Sequence, residues 1–468
     1  MADLEGLRTR FWSISPGIRK LAEEGKRILV VTHIDADGLC SGTIVLSALE
    51  RMKANVTIRC VQDLDPDTIG GLSSQGFDYH IFTDLASTLV GELESNLNGK
   101  YLVIDHHQIS EEDKLRPSVV NAWAYGYDGG REACSSSMAY VFASSLDPLN
   151  KDLSPLAVVG ALADRQDGGS GRSLTGLNRA AMEDAQSAGL LAVSKDLTFT
   201  GRETRPIHES IALTSTPYLR GLTGSKDAVL AAIHQAGLKL KEGGTWRTIS
   251  SLTSEEKMKL TEVIASVLGG AEGATEAIAG LVGEVYTLVM EDSFTPLRDA
   301  RDFGTLLNSC GRMGAPGVGI AVSLGDRGES LVAAMKVLAE YRSGIGRALE
   351  SLMVDASRVE RHGSLVLLRG EGVVDEKLLG PVLSILTSSP DFKDKVLVGS
   401  ATSRDSELKI SSRVGDDYPG EVNLGLIMRE AADSVSGVGG GHAMAAGAKI
   451  PASKAEEFSK AVIQRVVA

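Results

Sequence analysis

The stretch Ile28-Leu-Val-Val31-Thr-His33-Ile-Asp35-Ala-Asp37-Gly38 decides how the chain is read. Its opening run of four apolar residues is short and mostly β-branched, which suits a strand buried on both faces, as in parallel sheets. If the extended backbone continues, His33, Asp35 and Asp37 point to one side, because side chains alternate along a strand. An imidazole and two carboxylates meeting at a strand's end have metal-site spacing. The same residues also suit a turn followed by a helix cap, since Asp and Gly favour both.

Further short apolar runs at 56–61, 79–82 and 101–104 are bounded by Gly, Asp or Asn, with helical patterns between several of them. That rhythm predicts an α/β N-terminal domain with a mostly parallel sheet covered on both faces, where ligands gather at the carboxyl ends of strands. Asp105-His106-His107 follows the 101–104 run. Neighbouring side chains on an extended segment diverge, so one histidine can ligate a metal while the other contacts a phosphate, although a surface turn uses such pairs too. Asp84 follows the 79–82 run, and Asp164 closes Gly160-Ala-Leu-Ala-Asp164 late in a helix expected to start with Ser154 as its cap and Pro155 in its first turn. Taken singly, either carboxylate is equally a cap or a solvated charge.

The 468 residues suffice for two to four domains of roughly 100–200 residues each. Hydrophobic residues at 43% and charged residues at 23% are globular values, so neither disorder nor collagen-like repetition fits. Cys40, Cys60, Cys134 and Cys310 lie far apart with no CxxC pair, which argues against a zinc knuckle or disulfide framework and for a reducing cytoplasm. No apolar run approaches the ~20 residues that cross a bilayer, so no membrane association is expected. A net charge of −13 argues against broad capture of duplex DNA, but acidic residues that hold cations carry such charge by design.

Four parts are expected. The N-terminal α/β domain is expected over 1–190 and a mostly helical middle region over 191–328. Leu331, Leu338, Ile345, Leu352 and Val359 recur every seven residues, which predicts a long connecting helix over 329–361. Strand patterns return in a smaller C-terminal α/β domain, 362–468, with a glycine-rich stretch at Gly439-Gly-Gly-His442.

Together, the motifs resemble the DHH phosphoesterase superfamily, named for the tripeptide seen here at 105–107. His33, Asp35 and Asp37 match its first motif, Asp84 its second and Asp164 its fourth, while the C-terminal domain looks like its DHH-associated domain. The segment Phe303-Gly-Thr-Leu-Leu-Asn308-Ser-Cys-Gly311-Arg312 is most similar to archaeal RecJ-like single-strand nucleases. Asn308 and Arg312 are placed either to touch substrate or to sit in a packed helix before a glycine turn.

The resemblance implies a metal-dependent exonuclease on single-stranded DNA or RNA, in DNA replication or repair. It implies two divalent cations, one held by His33, Asp35 and Asp84 and the other by Asp37, Asp84, His106 and Asp164. Mixed imidazole and carboxylate donors favour Mn²⁺ over Mg²⁺. His107 would contact the scissile phosphate or protonate a leaving group, and Asp105 would orient a ligand. Ser411, Arg413, Gly440, Gly441 and His442 would bind a substrate phosphate, since glycines let backbone amides approach it. Two alternatives remain within that resemblance. One is an oligoribonuclease or phosphoadenosine-phosphate phosphatase; the other is a replisome subunit that binds the GINS complex with little catalysis.

Overall fold

The computed structural model describes residues 2–214, 217–269, 274–389, 391–403, 406–441 and 443–467. Five strands, β1 (Arg27–His33), β2 (Asn55–Val61), β3 (Tyr79–Thr83), β4 (Tyr101–Asp105) and β5 (Val119–Asn121), form one sheet in the order β2-β1-β3-β4-β5. Every pairing in it is parallel. Alternation along the strands divides their apolar residues between two cores. Ile28, Val30, Ile81, Leu102 and Ile104 face one of them, whereas Leu29, Val31, Phe82, Tyr101 and Val103 face the other. The order reverses between β1 and β3, so a crevice opens beyond the carboxyl ends of these two strands.

Three helices complete this end of the sheet. Ala36–Arg51 follows β1, Ser135–Leu146 packs on it, and Ser154–Ala163 packs on both. Ser154 is the first helical residue and its hydroxyl donates to the Lys151 carbonyl, so it does not act as the cap. A fourth helix, Ala300–Arg312, lies against the Ala36–Arg51 and Ser154–Ala163 helices, burying Phe303, Leu306, Leu307 and Cys310.

The middle region is mostly helical, as expected, and adds two strand pairs to its helices. β6 (Leu191–Leu197) and β9 (Val282–Leu288) pair antiparallel, with Leu197 opposite Val282, so the intervening stretch loops out from a two-stranded ribbon. Within it β7 (Lys241–Glu242) and β8 (Thr245–Trp246) flank a turn at Gly243 and Gly244, both at positive φ. Val282-Gly-Glu-Val-Tyr-Thr-Leu288 does alternate, but the alanine-rich helical stretch before it masks a seven-residue strand.

The long helix runs Glu329–Val354 and stops seven residues before the expected end at Arg361. Asp355 accepts the Ser357 N–H and starts a short 3₁₀ turn, after which β10 (Val359–His362) pairs antiparallel with β11 (Leu365–Arg369). Val359 therefore continues the seven-residue spacing by coincidence. Gly344, which weakens helix propensity, is used for packing, because a Cβ there would meet Leu378 Cδ1 at 2.6 Å.

The chain separates into two compact units, Met1–Ala212 with Gly224–Leu338, and Leu213–Thr223 with Ala339–Ala468. The second unit holds a mixed six-stranded sheet, order β10-β11-β12-β13-β15-β14, completed by β12 (Val396–Thr402), β13 (Glu407–Val414), β14 (Val438–Gly441) and β15 (Ala445–Pro451). Among the described residues no helix is long and apolar enough to cross a membrane.

Candidate metal centre

The crevice at the β1/β3 reversal gathers the ligand-type side chains. His33 ends β1, and Asp35 caps the helix that follows by accepting the Gly38 N–H at 2.9 Å through Oδ1. Its other oxygen pairs with His33 Nδ1 at 3.0 Å. Gly38 is required by the tightness of this turn, since a Cβ would come within 2.4 Å of the His33 carbonyl oxygen.

Asp37 points the other way, into the protein. Its two carboxylate oxygens accept the N–H groups of Ser135 and Ser136, at 2.8 and 2.9 Å, so the positive end of the Ser135–Leu146 helix holds it. Asp84 follows β3 at φ 64°, a left-handed conformation that non-glycine residues adopt mainly where a site demands it. One Asp84 oxygen lies 3.6 Å from His33 Nδ1 and the other 3.3 Å from His106 Nε2.

β4 ends in Asp105, and the two histidines separate as an extended segment requires. His106 turns inward, where Nε2 lies 3.8 Å from Asp37 and 3.9 Å from Asp164. Its Nδ1 donates to the Gly129 carbonyl at 2.5 Å, which fixes the tautomer and aims Nε2 at the carboxylates. His107 is more than a third exposed, and its Nδ1 bonds to Asp105 at 2.8 Å. Asp105 is fully buried and also accepts the N–H groups of His106 and Ser87, so it shapes the turn.

Asp164 caps the C-terminal end of Ser154–Ala163. That helix lies close because residue 160 is glycine: a Cβ there would meet Ser136 Oγ at 2.1 Å and Asp37 Oδ1 at 2.6 Å.

The ligand-type atoms form the groups His33, Asp35, Asp84 and Asp37, His106, Asp164, each with all atoms within 4.8 Å of one another. Asp84 reaches both. Without cations, protons substitute for them. Burial opposes charge on His33, but Asp35 and Asp84 outweigh it and raise its pKa well above the usual value; His106 is raised likewise by Asp84 and Asp164. Burial, with Asp84 nearby, pushes Asp37 up to about 8, and burial raises Asp164 to about 6. Against its burial, Asp35 is held low by the His33 imidazolium.

Asp84 Oδ2 is buried with no hydrogen-bond partner among the described residues. An orphaned carboxylate oxygen between two imidazole–carboxylate groups fits divalent cations, whose charge would satisfy it.

In the second unit, Ser411, Gly447 and Gly440 lie in one row across β13, β15 and β14. Arg413 donates to Ser384 Oγ at 3.1 Å and to Ser411 Oγ at 3.3 Å, which holds its guanidinium beside that row. Gly441 sits at φ 133°, and a Cβ there would strike Ala446. His442 lies outside the described residues.

Sequence reasoning misses Gly129 and Gln166. Gln166 donates to Asp164 Oδ2 at 2.8 Å and to the Gly129 carbonyl at 2.8 Å, and it accepts from Asn178 at 2.6 Å. Only its place two residues after Asp164 hints at this.

Residues 27–161 match the family model of the DHH family, N-terminal domain; residues 199–282 match the DHH-CID domain and residues 365–468 the DHHA1 domain. An uncharacterized protein of Methanocaldococcus jannaschii is 27% identical over 445 residues, covering 93% of this chain and 92% of that one. CDC45 from Entamoeba histolytica shares the fold with a TM-score of 0.69 at 13% identity, covering 98% of this chain and 99% of that one. RecJ from Thermus thermophilus in complex with Mn²⁺ gives 0.59 at 18% identity, covering 98% of this chain. The chain spans 54% of that RecJ. A structure of exonuclease RecJ bound to manganese gives 0.58 at 18% identity, covering 99% of this chain and 94% of that one.

Proposed function

The chain belongs to the DHH superfamily, with a RecJ-like architecture, and from that premise we propose that it is a cation-dependent exonuclease hydrolysing phosphodiester bonds of single-stranded DNA or RNA, acting in replication or repair. One observation carries this reading: Asp84 stands between two groups of ligand-type side chains, within reach of His33 on one side and His106 on the other.

His33, Asp35 and Asp84 would hold one divalent ion, and Asp37, Asp84, His106 and Asp164 a second. When bound, such a pair stabilises charge on the attacking and leaving oxygens of an in-line displacement. The mixed donors favour Mn²⁺, and Mg²⁺ is the competing ion. The RecJ structures bound to Mn²⁺ and, in another crystal, to Mg²⁺ are consistent with either.

The chain's own groups do the rest. Against the partial desolvation that opposes its charge, Asp105 raises His107 to about 9, so at neutral pH it carries a proton. From that position it would donate to a phosphate oxygen or to the departing oxygen. Asp105 keeps the ring in place. Ser411, Arg413, Gly440, Gly441 and His442 would bind a further phosphate of the strand, with Arg413 supplying positive charge beside the glycine row.

Asp84→Ala should reduce Mn²⁺-dependent release of nucleotides from an end-labelled single strand by at least about a thousandfold while leaving the circular dichroism spectrum unchanged. Full activity in that variant would refute the reading.

The TM-score of 0.69 to CDC45 supports a second reading, a replisome subunit that docks on GINS with little catalysis. Co-purification in gentle salt tests it: recovery of GINS subunits supports docking, and their absence counts against it.

A further inference from the structure

The Ala300–Arg312 helix carries none of the ligand-type residues, yet it touches the turn that carries three of them. Asn308 Oδ1 accepts the Ala36 N–H at 2.9 Å. Ala36 opens the helix after β1, and its N–H has no partner within that helix. The peptide plane joining Asp35 to Ala36 is therefore fixed by a side chain from a distant part of the chain. Asp35 Oδ1 is already committed to the Gly38 N–H, so the direction of Oδ2 depends on how that peptide is held.

One turn further along the same helix, the backbone at Gly311 lies directly against the turn, and a Cβ there would come within 1.7 Å of the Ile34 carbonyl oxygen. Two adjacent contacts, one a hydrogen bond and the other a close approach, thus register the Ile34–Ala36 stretch of the turn against this helix.

The helix itself is secured elsewhere. Asp299 caps it by accepting the N–H groups of Arg301 and Asp302. Arg301 pairs with Asp167 at 2.8 Å, and Asp302 accepts the Gly201 N–H at 3.0 Å. Loss of the Asn308 side chain would leave the helix in place and release the turn.

We propose that Asn308 is a positioning residue, which holds Asp35 and His33 in the geometry that binds one of the two cations, without touching cation or substrate. The inference rests on the two-cation reading of the site. It assigns to Asn308 a selective effect: the group with Asp37, His106 and Asp164 is held by other helices and does not depend on it.

Manganese uptake followed by electron paramagnetic resonance of the free ion tests this without any substrate. Asn308→Ala should weaken one of two Mn²⁺ equivalents about 10- to 100-fold, the range found for groups that orient metal ligands. The other equivalent and the melting temperature of the cation-free protein should be retained. Asn308→Asp keeps an acceptor and should restore most of the lost affinity. In a His33→Ala background, Asn308→Ala should cost nothing more, because the site it serves is already gone. Gly311→Ala, which pushes on the same turn by a different contact, should weaken the same equivalent.

Two full-affinity equivalents in Asn308→Ala would overturn this inference alone. A parallel fall of both equivalents with the melting temperature, unrescued by Asn308→Asp, would also overturn it in favour of a purely structural role. No uptake by the unsubstituted chain would overturn the two-cation reading beneath it.

Discussion

Asp84 occupies a left-handed backbone conformation, leaves a buried oxygen without a hydrogen-bond partner among the described residues, and lies between two imidazoles. The left-handed backbone and the unpartnered oxygen each cost stability, and bound cations would satisfy the oxygen. The same logic gives the pH dependence its sign. Without cations, Asp37 keeps its proton up to about pH 8 and Asp164 up to about pH 6. Cation binding needs both as carboxylates, so protons compete with it below those values. Apparent Mn²⁺ affinity should rise between pH 6 and 8, and calorimetry in buffers of different ionisation enthalpy should register proton release; affinity falling over that window would contradict the assignment. His33, Asp35, Asp37, Asp84 and His106 are legible in the sequence because each closely follows a short apolar run that reads as a strand. Asn308 is not, since its bond to Ala36 spans 272 positions and nothing local records it.

At the scale of elements, the site depends on how closely helices approach the carboxyl ends of β1 and β3. Gly160 permits the Ser154–Ala163 helix to lie against Ser136 and Asp37. Gly160→Ala should destabilise the protein by about 1–3 kcal/mol through overpacking, and it should weaken Mn²⁺ uptake because the clash falls on Asp37. Urea unfolding with and without Mn²⁺ measures both effects; unchanged midpoints would show that the helices shift at no cost. The parallel sheet is legible from its apolar runs, but the β6/β9 ribbon is not, because pairing between residues nearly a hundred positions apart leaves only a weak alternation. The long helix shows the reverse failure. Its seven-residue pattern extends beyond Val354 into a strand, and only the capping turn at Asp355 marks the stop.

For the whole molecule, the proposed function divides labour between two units: cations would be held by the first and a strand phosphate gripped by the second. Arg413→Ala should raise KM for a single strand at least about tenfold, while kcat and Mn²⁺ uptake stay near their starting values. Steady-state kinetics beside a manganese titration checks this, and a loss of Mn²⁺ uptake would show that the division is wrong. Whether a pair of cations sits astride Asp84 is decided by anomalous scattering from a manganese-soaked crystal. Two peaks about 3.5–4 Å apart are expected, with Asp84 contacting both, His33 and Asp35 on one, and Asp37, His106 and Asp164 on the other. A single peak that Asp84 does not touch, or none in the crevice between β1 and β3, would contradict that expectation.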